Sequence, residues 1–255
     1  MTNETYFKIG RSFFAVAFLG VGVLHIIMGR FTDELFPVIS IPAGSSLAYL
    51  IGGMMIIAGI LMLIPKYTVA GAIIGAGIFS ICAFCLHIPQ LLTNLHANGD
   101  WTPTSENFMF LGGSLMLAGS VLINQKHSNK GQWIFITGKY IFALTLFDFA
   151  IEHYVSEKVV LTFIPTWIPW KDFWAYLVMC AFFAAFVSIV VRIQERLAAL
   201  LLFLMFFLWV ALLHLPVVIQ NSGNAMLWSF LFVPIGVCGI ALILRASTPG
   251  KIKNI

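Results

Sequence analysis

Eight long apolar stretches constrain this chain more than any other feature. Each has about 20 residues, the length that an α-helix needs to cross the hydrocarbon core of a bilayer. Only 9% of the residues are charged, whereas a soluble domain has roughly 25%. Because backbone polar groups must be satisfied inside lipid, such runs predict an all-α integral membrane protein with eight transmembrane helices. The predicted spans are 9–29, 44–64, 68–92, 105–124, 134–154, 172–192, 197–219 and 225–244.

The basic residues are distributed unevenly between the two sides of this topology. Eleven of the 14 Lys and Arg residues lie on the side of the termini: Lys8, Arg11, Lys66, Lys126, Lys130, Lys139, Arg192, Arg196, Arg245, Lys251 and Lys253. The other three are Arg30, Lys158 and Lys171. By the positive-inside rule, both termini are predicted to face the cytoplasm. The net charge of +4 therefore indicates topology and not a nucleic-acid partner.

The sequence also contains an internal repeat. The stretch "GRSFFAVAFLGVGVLH" (10–25) aligns with "GKYIFALTLFDFAIEH" (138–153) at an offset of 128 residues. Further along, "CLHIPQLL" (85–92) aligns with "LLHLPVVI" (212–219) at an offset of 127. These offsets pair His25 with His153, His87 with His214, Pro89 with Pro216, and Trp101 with Trp228. We therefore predict two four-helix domains, 1–127 and 128–255, arranged as parallel repeats about a pseudo-two-fold axis along the membrane normal.

Four histidines occupy matching positions in the two repeats: His25, His87, His153 and His214. With a rise of about 1.5 Å per residue, His25 lies about 24 Å from the start of its helix, which predicts the outer half of the membrane. Three interpretations are compatible with this pattern. The imidazoles make structural hydrogen bonds between helices, line a pocket for an organic ligand, or ligate haem or another metal.

Prolines accompany the histidines in both repeats. Pro89 and Pro216 lack the N–H that an interior helical residue donates, so each is predicted to bend its helix beside the histidine. Two further apolar loops with paired prolines, "FPVISIP" (36–42) and "IPTWIPW" (164–170), come from the same side of the membrane. We expect these loops to dip back over the histidines as lids.

Two carboxylates distinguish the second repeat from the first. Asp148 and Glu152 are spaced i, i+4 and share one helical face, whereas Gly20 and Leu24 stand at the matching positions of the first repeat. A charged carboxylate at this depth costs several kcal/mol. The pair is therefore predicted to be protonated, paired with the nearby histidines, or facing a wet cavity. We predict one functional centre, biased toward the second repeat.

Tryptophans and cysteines add weaker signals. Trp101 and Trp228 lie near the predicted outer interface, where they either anchor the helices or stack on a ring-shaped ligand. Cys82 and Cys85 form C-x-x-C inside a span, and the interpretations are small apolar packing residues or a redox pair.

The residues resemble the DoxX-like family of bacterial membrane proteins. The similarity lies in Gly22 and His25, in the pattern from Pro37 to Pro42, in "YLIGGMMIIAGILMLIPK" (49–66), and in "LHLP" followed by Trp. DoxX-like proteins are four-helix units, and the resemblance implies that two such units are fused in tandem here. The resemblance implies a bacterial inner-membrane location and redox chemistry with quinone as partner.

These observations lead to one functional hypothesis and two alternatives. The first is a quinone-linked membrane oxidoreductase subunit, with Asp148, Glu152, His153 and His214 as catalytic residues and His25, His87, Trp101 and Trp228 as cofactor-binding residues. Its expected partners are the lipid bilayer, a lipophilic small molecule and a redox subunit, and the sequence leaves the cofactor open between quinone, haem and another metal. The alternatives are a cofactor-free acid–base enzyme on an isoprenoid-like substrate and a small-molecule binding or transport protein.

Overall fold

The computed structural model describes residues 1–32, 35–36, 44–93, 98–126 and 129–248, which are mainly helical. Its helices are α1 (Asn3–Met28), α2 (Gly44–Leu63), α3 (Thr68–Cys82), α4 (Ile88–Thr93), α5 (Asn98–Lys126), α6 (Asn129–Val155), α7 (Glu157–Phe163), α8 (Lys171–Val190), α9 (Glu195–Trp209), α10 (Leu215–Gln220) and α11 (Ala225–Ser247). Within the described ranges, eight helical segments are long and apolar enough to cross a membrane. The predicted all-α membrane fold is therefore confirmed. Pro37, Pro42, Lys251 and Lys253 lie outside the described residues.

Two of the spans contain a π-helical turn where the sequence has histidine and proline. α3 passes into α4 through the turn Ala83–His87, and α9 passes into α10 through Val210–His214. The amide after each turn donates to the carbonyl five residues earlier, from Ile88 to Ala83 and from Leu215 to Val210. This wider turn accommodates Pro89 and Pro216, which have no N–H to donate. Each helix thus continues past its proline, with the histidine at the end of the turn.

The spans pack as two groups of four that meet along two seams. In the first half α1 packs on α2, α2 on α3, and α3 on α5; in the second half α6 packs on α8, α8 on α9, and α9 on α11. The α1·α11 seam and the α5·α6 seam join the halves, and α5 also contacts α11 between them. The first helix of each half therefore packs against the last helix of the other half.

A pair of facing glycines allows the close helix approach at each seam. A Cβ on Gly10 would lie 2.8 Å from the carbonyl oxygen of Gly239, and a Cβ on Gly112 would lie 2.7 Å from that of Gly138. The sequence offsets of 128 and 127 residues relate Gly10 to Gly138 and Gly112 to Gly239. Residues that the alignment pairs thus make the same backbone contact at both seams.

The contact between α5 and α11 has the form expected at a two-fold axis. The hydroxyls of Ser120 and Ser247 lie 2.7 Å apart, and these two serines are related by the offset of 127 residues. A residue that contacts its own repeat equivalent must lie near the axis that relates the repeats. The predicted domain boundary, between 127 and 128, falls on residues that the structure does not describe.

Matching positions of the two repeats also hold matching polar contacts between helices. Lys139 forms a 2.9 Å salt bridge with Glu195, and both side chains are buried. At the equivalent positions of the first half, Arg11 donates to the Thr68 hydroxyl at 3.3 Å. Arg11 and Lys139 thus lie within α1 and α6, and residues of other helices hold their cationic groups.

The four histidines lie toward one end of this bundle, which we call the histidine end. There the start of α5 meets the end of α6, where the Thr102 hydroxyl donates to Glu152 at 2.9 Å. At the opposite end, Arg245 of α11 donates to Asn3 of α1, and Arg196 of α9 donates to the Thr248 carbonyl. The functional residues named from sequence are all toward the histidine end.

Candidate functional site

His25 is completely buried near the end of α1. Its ring packs edge-on against Phe31 and Phe36, with ring-centre distances of 5.3 and 4.9 Å. The two phenylalanine rings stack on each other at 4.8 Å, and the Thr32 hydroxyl lies 3.3 Å from His25 Nε2. The chain that follows α1 therefore folds back onto this histidine.

His87 is buried as deeply and contacts the same returning segment. Its Nε2 lies 3.1 Å from the carbonyl oxygen of Leu35, so Nε2 carries the proton, because a carbonyl can only accept. The Asn107 amide donates to the same oxygen at 3.2 Å, and the Cys82 thiol lies 3.9 Å from it. The Thr104 hydroxyl lies 3.1 Å from His87 Nδ1.

Residues 35–36, which we call the plug, thus fill the space between the two histidines of the first half. The plug presents a carbonyl oxygen to His87 and an aromatic ring to His25. Both of its side chains are buried. The first-half histidines therefore already have an occupant, and it is part of the chain itself.

His153 has different surroundings in the second half. Its Nδ1 lies 2.9 Å from the Phe149 carbonyl of its own helix, so Nδ1 carries the proton and Nε2 is an acceptor in the neutral ring. The ring packs edge-on against Phe182 at 5.3 Å. In contrast to His25, His153 is only half-buried.

His214 ends the π-helical turn of the second half and is also half-buried. Among the hydrogen bonds of the described residues, none involves its ring. Nearby in sequence, the Trp209 ring packs edge-on against Phe182 at 6.1 Å and Phe206 at 5.0 Å. Trp209 is the repeat equivalent of Cys82, whose thiol faces the plug. The second half therefore has an aromatic wall where the first half has a small side chain.

The connection after α6 does not supply a second plug. Ile164 is the equivalent of Phe36 at the offset of 128 residues that pairs Pro37 with Pro165, and it is not buried, whereas Phe36 is 3% exposed. No residue from 157 to 170 is buried. The predicted lid 164–170 therefore does not occupy the space between His153 and His214 as the plug occupies its counterpart.

The two carboxylates face α5 and not the histidines. The Ser105 hydroxyl donates to Asp148 Oδ2 at 2.6 Å, and the Thr102 hydroxyl donates to both Glu152 oxygens at 2.9 and 3.0 Å. The sequence left three interpretations open, and one of them paired these carboxylates with histidines. Among the described residues, no hydrogen bond joins either carboxylate to a histidine. Instead, the carboxylates close the α5·α6 seam through hydroxyl groups.

The structure therefore separates the predicted site into three places. His25 and His87 meet through the plug, His153 packs against Phe182 while His214 ends the π-helical turn of the second half, and Asp148 and Glu152 lie at the α5·α6 seam. Trp228 donates through its indole N–H to the Ser222 carbonyl at 2.9 Å and lines a groove at the α1·α11 seam. Trp101 is half-buried at the start of α5.

The described residues contain no group of three or more His, Cys, Asp or Glu side chains placed to share a metal ion. For haem, an axial pair would need two imidazoles that converge, and His25 and His87 are already directed to the plug. Cys82 and Cys85 are both free thiols, the first buried and the second exposed. These histidine and cysteine side chains are thus better placed to form hydrogen bonds with an organic ligand than to bind a metal.

Sequence reasoning did not identify the polar partners of these groups. Thr102, Thr104, Ser105 and Asn107 all lie on the first turns of α5 and bind His87, the plug or the carboxylates. One signal was present: at the offset of 127 residues, Ser105 aligns with Phe232 and Asn107 with Pro234. A polar residue that is present in only one of the two repeats could therefore have indicated these positions as part of the site.

A search against protein-family models, curated proteins and solved structures gives no match to this chain. The resemblance to DoxX-like proteins therefore stays a prediction, and the function must be argued from the site itself.

Proposed function

We propose that this chain is the quinone-binding membrane subunit of an oxidoreductase. In this proposal it holds a lipophilic quinone in the second half, between His153 and His214, at the histidine end of the bundle. The proposal places the protein in a bacterial inner membrane with both termini in the cytoplasm, which puts the quinone in the outer half of the bilayer.

The observation that supports this most strongly is the plug. In the first half, the histidine pair holds a carbonyl oxygen on His87 and a flat aromatic ring on His25. The equivalent pair in the second half has no such occupant among the described residues, and its histidines are half-buried instead of buried. The plug thus shows which groups a histidine pair of this kind holds in the first half: a carbonyl oxygen on one imidazole and a flat apolar ring on the other.

A quinone has this combination of groups. Its carbonyl oxygen would accept a hydrogen bond from His214, as the Leu35 carbonyl does from His87. Its ring would pack against His153, Phe182 and Trp209, since aromatic rings favour edge-on and offset contacts at 4.5–7 Å. A pocket with mostly apolar walls and a few polar groups is typical of small-molecule sites.

The redox step needs two electrons and two protons for each quinone reduced to quinol. We assign the electrons to a redox partner subunit, since no described residue is an electron carrier by itself. His214 would deliver the first proton to the carbonyl oxygen it binds. The second proton would reach the other carbonyl oxygen from Glu152, which would be reprotonated from the outer face through Asp148, one helical turn away.

The carboxylates also favour one alternative. Asp148 and Glu152 each bond a hydroxyl, and no salt bridge to a cation involves them within the described residues. Such a pair suits a cofactor-free acid–base enzyme that protonates an isoprenoid-like double bond. In that case Asp148→Asn would remove turnover of an isoprenoid substrate, and quinone binding would be absent.

Binding of decylubiquinone to the protein in nanodiscs tests the proposal. Quenching of tryptophan fluorescence reports binding at the wall that contains Trp209. We expect saturable binding by the wild type and roughly fivefold to tenfold weaker binding by His214→Ala, the value of one hydrogen bond. Leu212→Ala, in the same π-helical turn, is the matched control and should bind as the wild type does. No saturable binding, or equal affinity in His214→Ala, would contradict the proposal.

A further inference from the structure

A groove runs along the α1·α11 seam at the histidine end. Its volume is about 490 Å³, within the range of ligand pockets. It is lined by residues of α1 and the start of α11, among them Gly20, Val23, Leu24, Ile27, Trp228 and Phe232. Because it lies at the seam between the halves, it is separate from the histidine pair of the second half.

The lining of this groove is almost entirely apolar. Its polar side chain is Ser222, and the Ser222 carbonyl already accepts the indole N–H of Trp228 at 2.9 Å. The Trp228 and Phe232 rings stack at 6.0 Å and form one wall. Among the described residues that line the groove, none has a charged side chain, so these residues recognise an occupant by shape and apolar contact.

The rim of the groove is exposed on the outside of the bundle. Val23 is 42% exposed and Ile27 is 70% exposed, and both belong to a helix of membrane-spanning length. The groove is therefore continuous with the apolar surface that contacts the bilayer. Whatever enters it comes from the hydrocarbon region and needs no aqueous path.

Comparison of the two seams explains why the groove exists. At the α5·α6 seam, Ser105 and Thr102 bind Asp148 and Glu152. At the α1·α11 seam, Gly20 stands in place of Asp148, and a Cβ there would overlap the ring of Phe232. The α5·α6 seam is closed by hydrogen bonds between side chains. At the α1·α11 seam, Gly20 contacts the Phe232 ring, and the groove lies beside them.

We infer that one acyl chain of a bilayer phospholipid occupies the groove of the α1·α11 seam and completes its packing. An empty apolar space loses the dispersion contacts that close packing provides, and the surrounding medium supplies acyl chains at high concentration. The lipid acts as a structural ligand that joins α1 of the first half to α11 of the second. This inference is independent of the proposed quinone site.

Native mass spectrometry of the protein, released from mild detergent, tests this inference. We expect the wild type to retain one phospholipid per chain. Val23→Trp places an indole across the groove from an exposed position and should lose the bound lipid. Ile73→Trp is the matched control, since Ile73 is 60% exposed on α3 and does not line the groove. It should retain the lipid as the wild type does.

Thermal unfolding provides a second measurement. Delipidation should lower the Tm of the wild type and of Ile73→Trp, and Val23→Trp should lose this dependence because its own side chain fills the space. If Val23→Trp does not fold, Ile27→Trp fills the same groove from its most exposed rim position. Equal lipid retention in the filled and control variants, absence of retained lipid in the wild type, or retention of a quinone in place of the phospholipid would each overturn the inference.

Discussion

At the scale of single residues, the equivalent histidines His87 and His214 have different contacts in the two halves. His87 donates to the plug carbonyl and contacts Thr104, so its role is to hold the chain together. His214, its repeat equivalent, has no such partner within the described part of the chain. Removal of His87 takes away one of the two donors to the Leu35 carbonyl, which keeps the Asn107 amide, and it takes the imidazole away from the Thr104 hydroxyl. The two histidines should therefore differ in what their removal costs.

We predict that His87→Ala destabilises the protein and that His214→Ala does not. Loss of one bond to the Leu35 carbonyl, together with loss of a fully buried ring, should lower the free energy of unfolding by about 1–3 kcal/mol. The measurement is the shift in Tm by scanning fluorimetry in detergent. Equal destabilisation by the two substitutions would show that His214 is structural as well.

The salt bridge between Lys139 and Glu195 leads to a second prediction at this scale. Both side chains are buried, so Lys139→Met leaves an uncompensated carboxylate and should cost about 3–5 kcal/mol. Lys8 and Glu4 form an exposed pair at 2.6 Å, and Lys8→Met should change stability by less than about 1 kcal/mol. A double variant, Lys139→Met with Glu195→Met, should recover much of the loss. A Lys139→Met protein as stable as Lys8→Met would contradict this account.

At the scale of elements, the seams and the π-helical turns determine where side chains point. The facing glycines let α5 approach α6, and that approach brings Ser105 within 2.6 Å of Asp148. The π-helical turns keep α3 and α9 continuous past a proline and end on the two histidines. The geometry of the site thus depends on backbone features that are not part of the site.

We predict that Gly112→Ala weakens the α5·α6 seam. The new methyl group would lie 2.7 Å from the Gly138 carbonyl, and such overpacking costs about 1–3 kcal/mol. Gly77→Ala is the matched control, because nothing lies within 4 Å of its Cβ, and it should be neutral or raise stability by about 1 kcal/mol through helix propensity. Chemical denaturation in detergent compares the two variants. If both change stability by the same amount, close glycine packing does not determine this seam.

The elements also separate what sequence could predict from what it could not. Apolar length predicted all eight spans because a bilayer requires about 20 apolar residues in each. The predicted lid 36–42 begins at Phe36 of the plug, and its other residues lie outside the described part of the chain. The contacts of Leu35 were not predicted, because an apolar loop segment has no period that tells which of its residues enter the bundle. The direction of the Asp148 side chain depends on how α6 is rotated relative to α5. An i, i+4 spacing shows that Asp148 and Glu152 share a helical face, but it does not tell which helix packs against that face.

At the scale of the whole molecule, two similar halves carry different chemistry. The facing glycines, the paired serines on α5 and α11 and the two π-helical turns are matched between the halves. The plug, the carboxylates and the α1·α11 groove are each present in one half or at one seam. A shared framework thus holds a filled histidine pair and an open one, and the open pair is the centre of the proposed function.

The distribution of basic residues predicts the orientation of this molecule. Trp167 lies in the connection before α8 and is exposed, and Ile193 lies in the connection after α8 and is also exposed. In cells, Trp167→Cys should react with a membrane-impermeant thiol reagent, and Ile193→Cys should react only after the membrane is opened. The exposed native Cys85 and Cys180 are replaced by Ala in both variants. The reverse pattern of labelling would contradict the positive-inside assignment.

The central claim is that the second histidine pair takes a carbonyl-bearing ring while the plug fills the first pair. Photolabelling with an azidoquinone, followed by peptide mass spectrometry, tests this claim most directly. We expect the label on α6, α8 and the π-helical turn Val210–His214, near His153, Trp209 and His214, with competition by unlabelled decylubiquinone. Label on α1 or α3 near His25 and His87, or label that unlabelled quinone does not displace, would contradict the account.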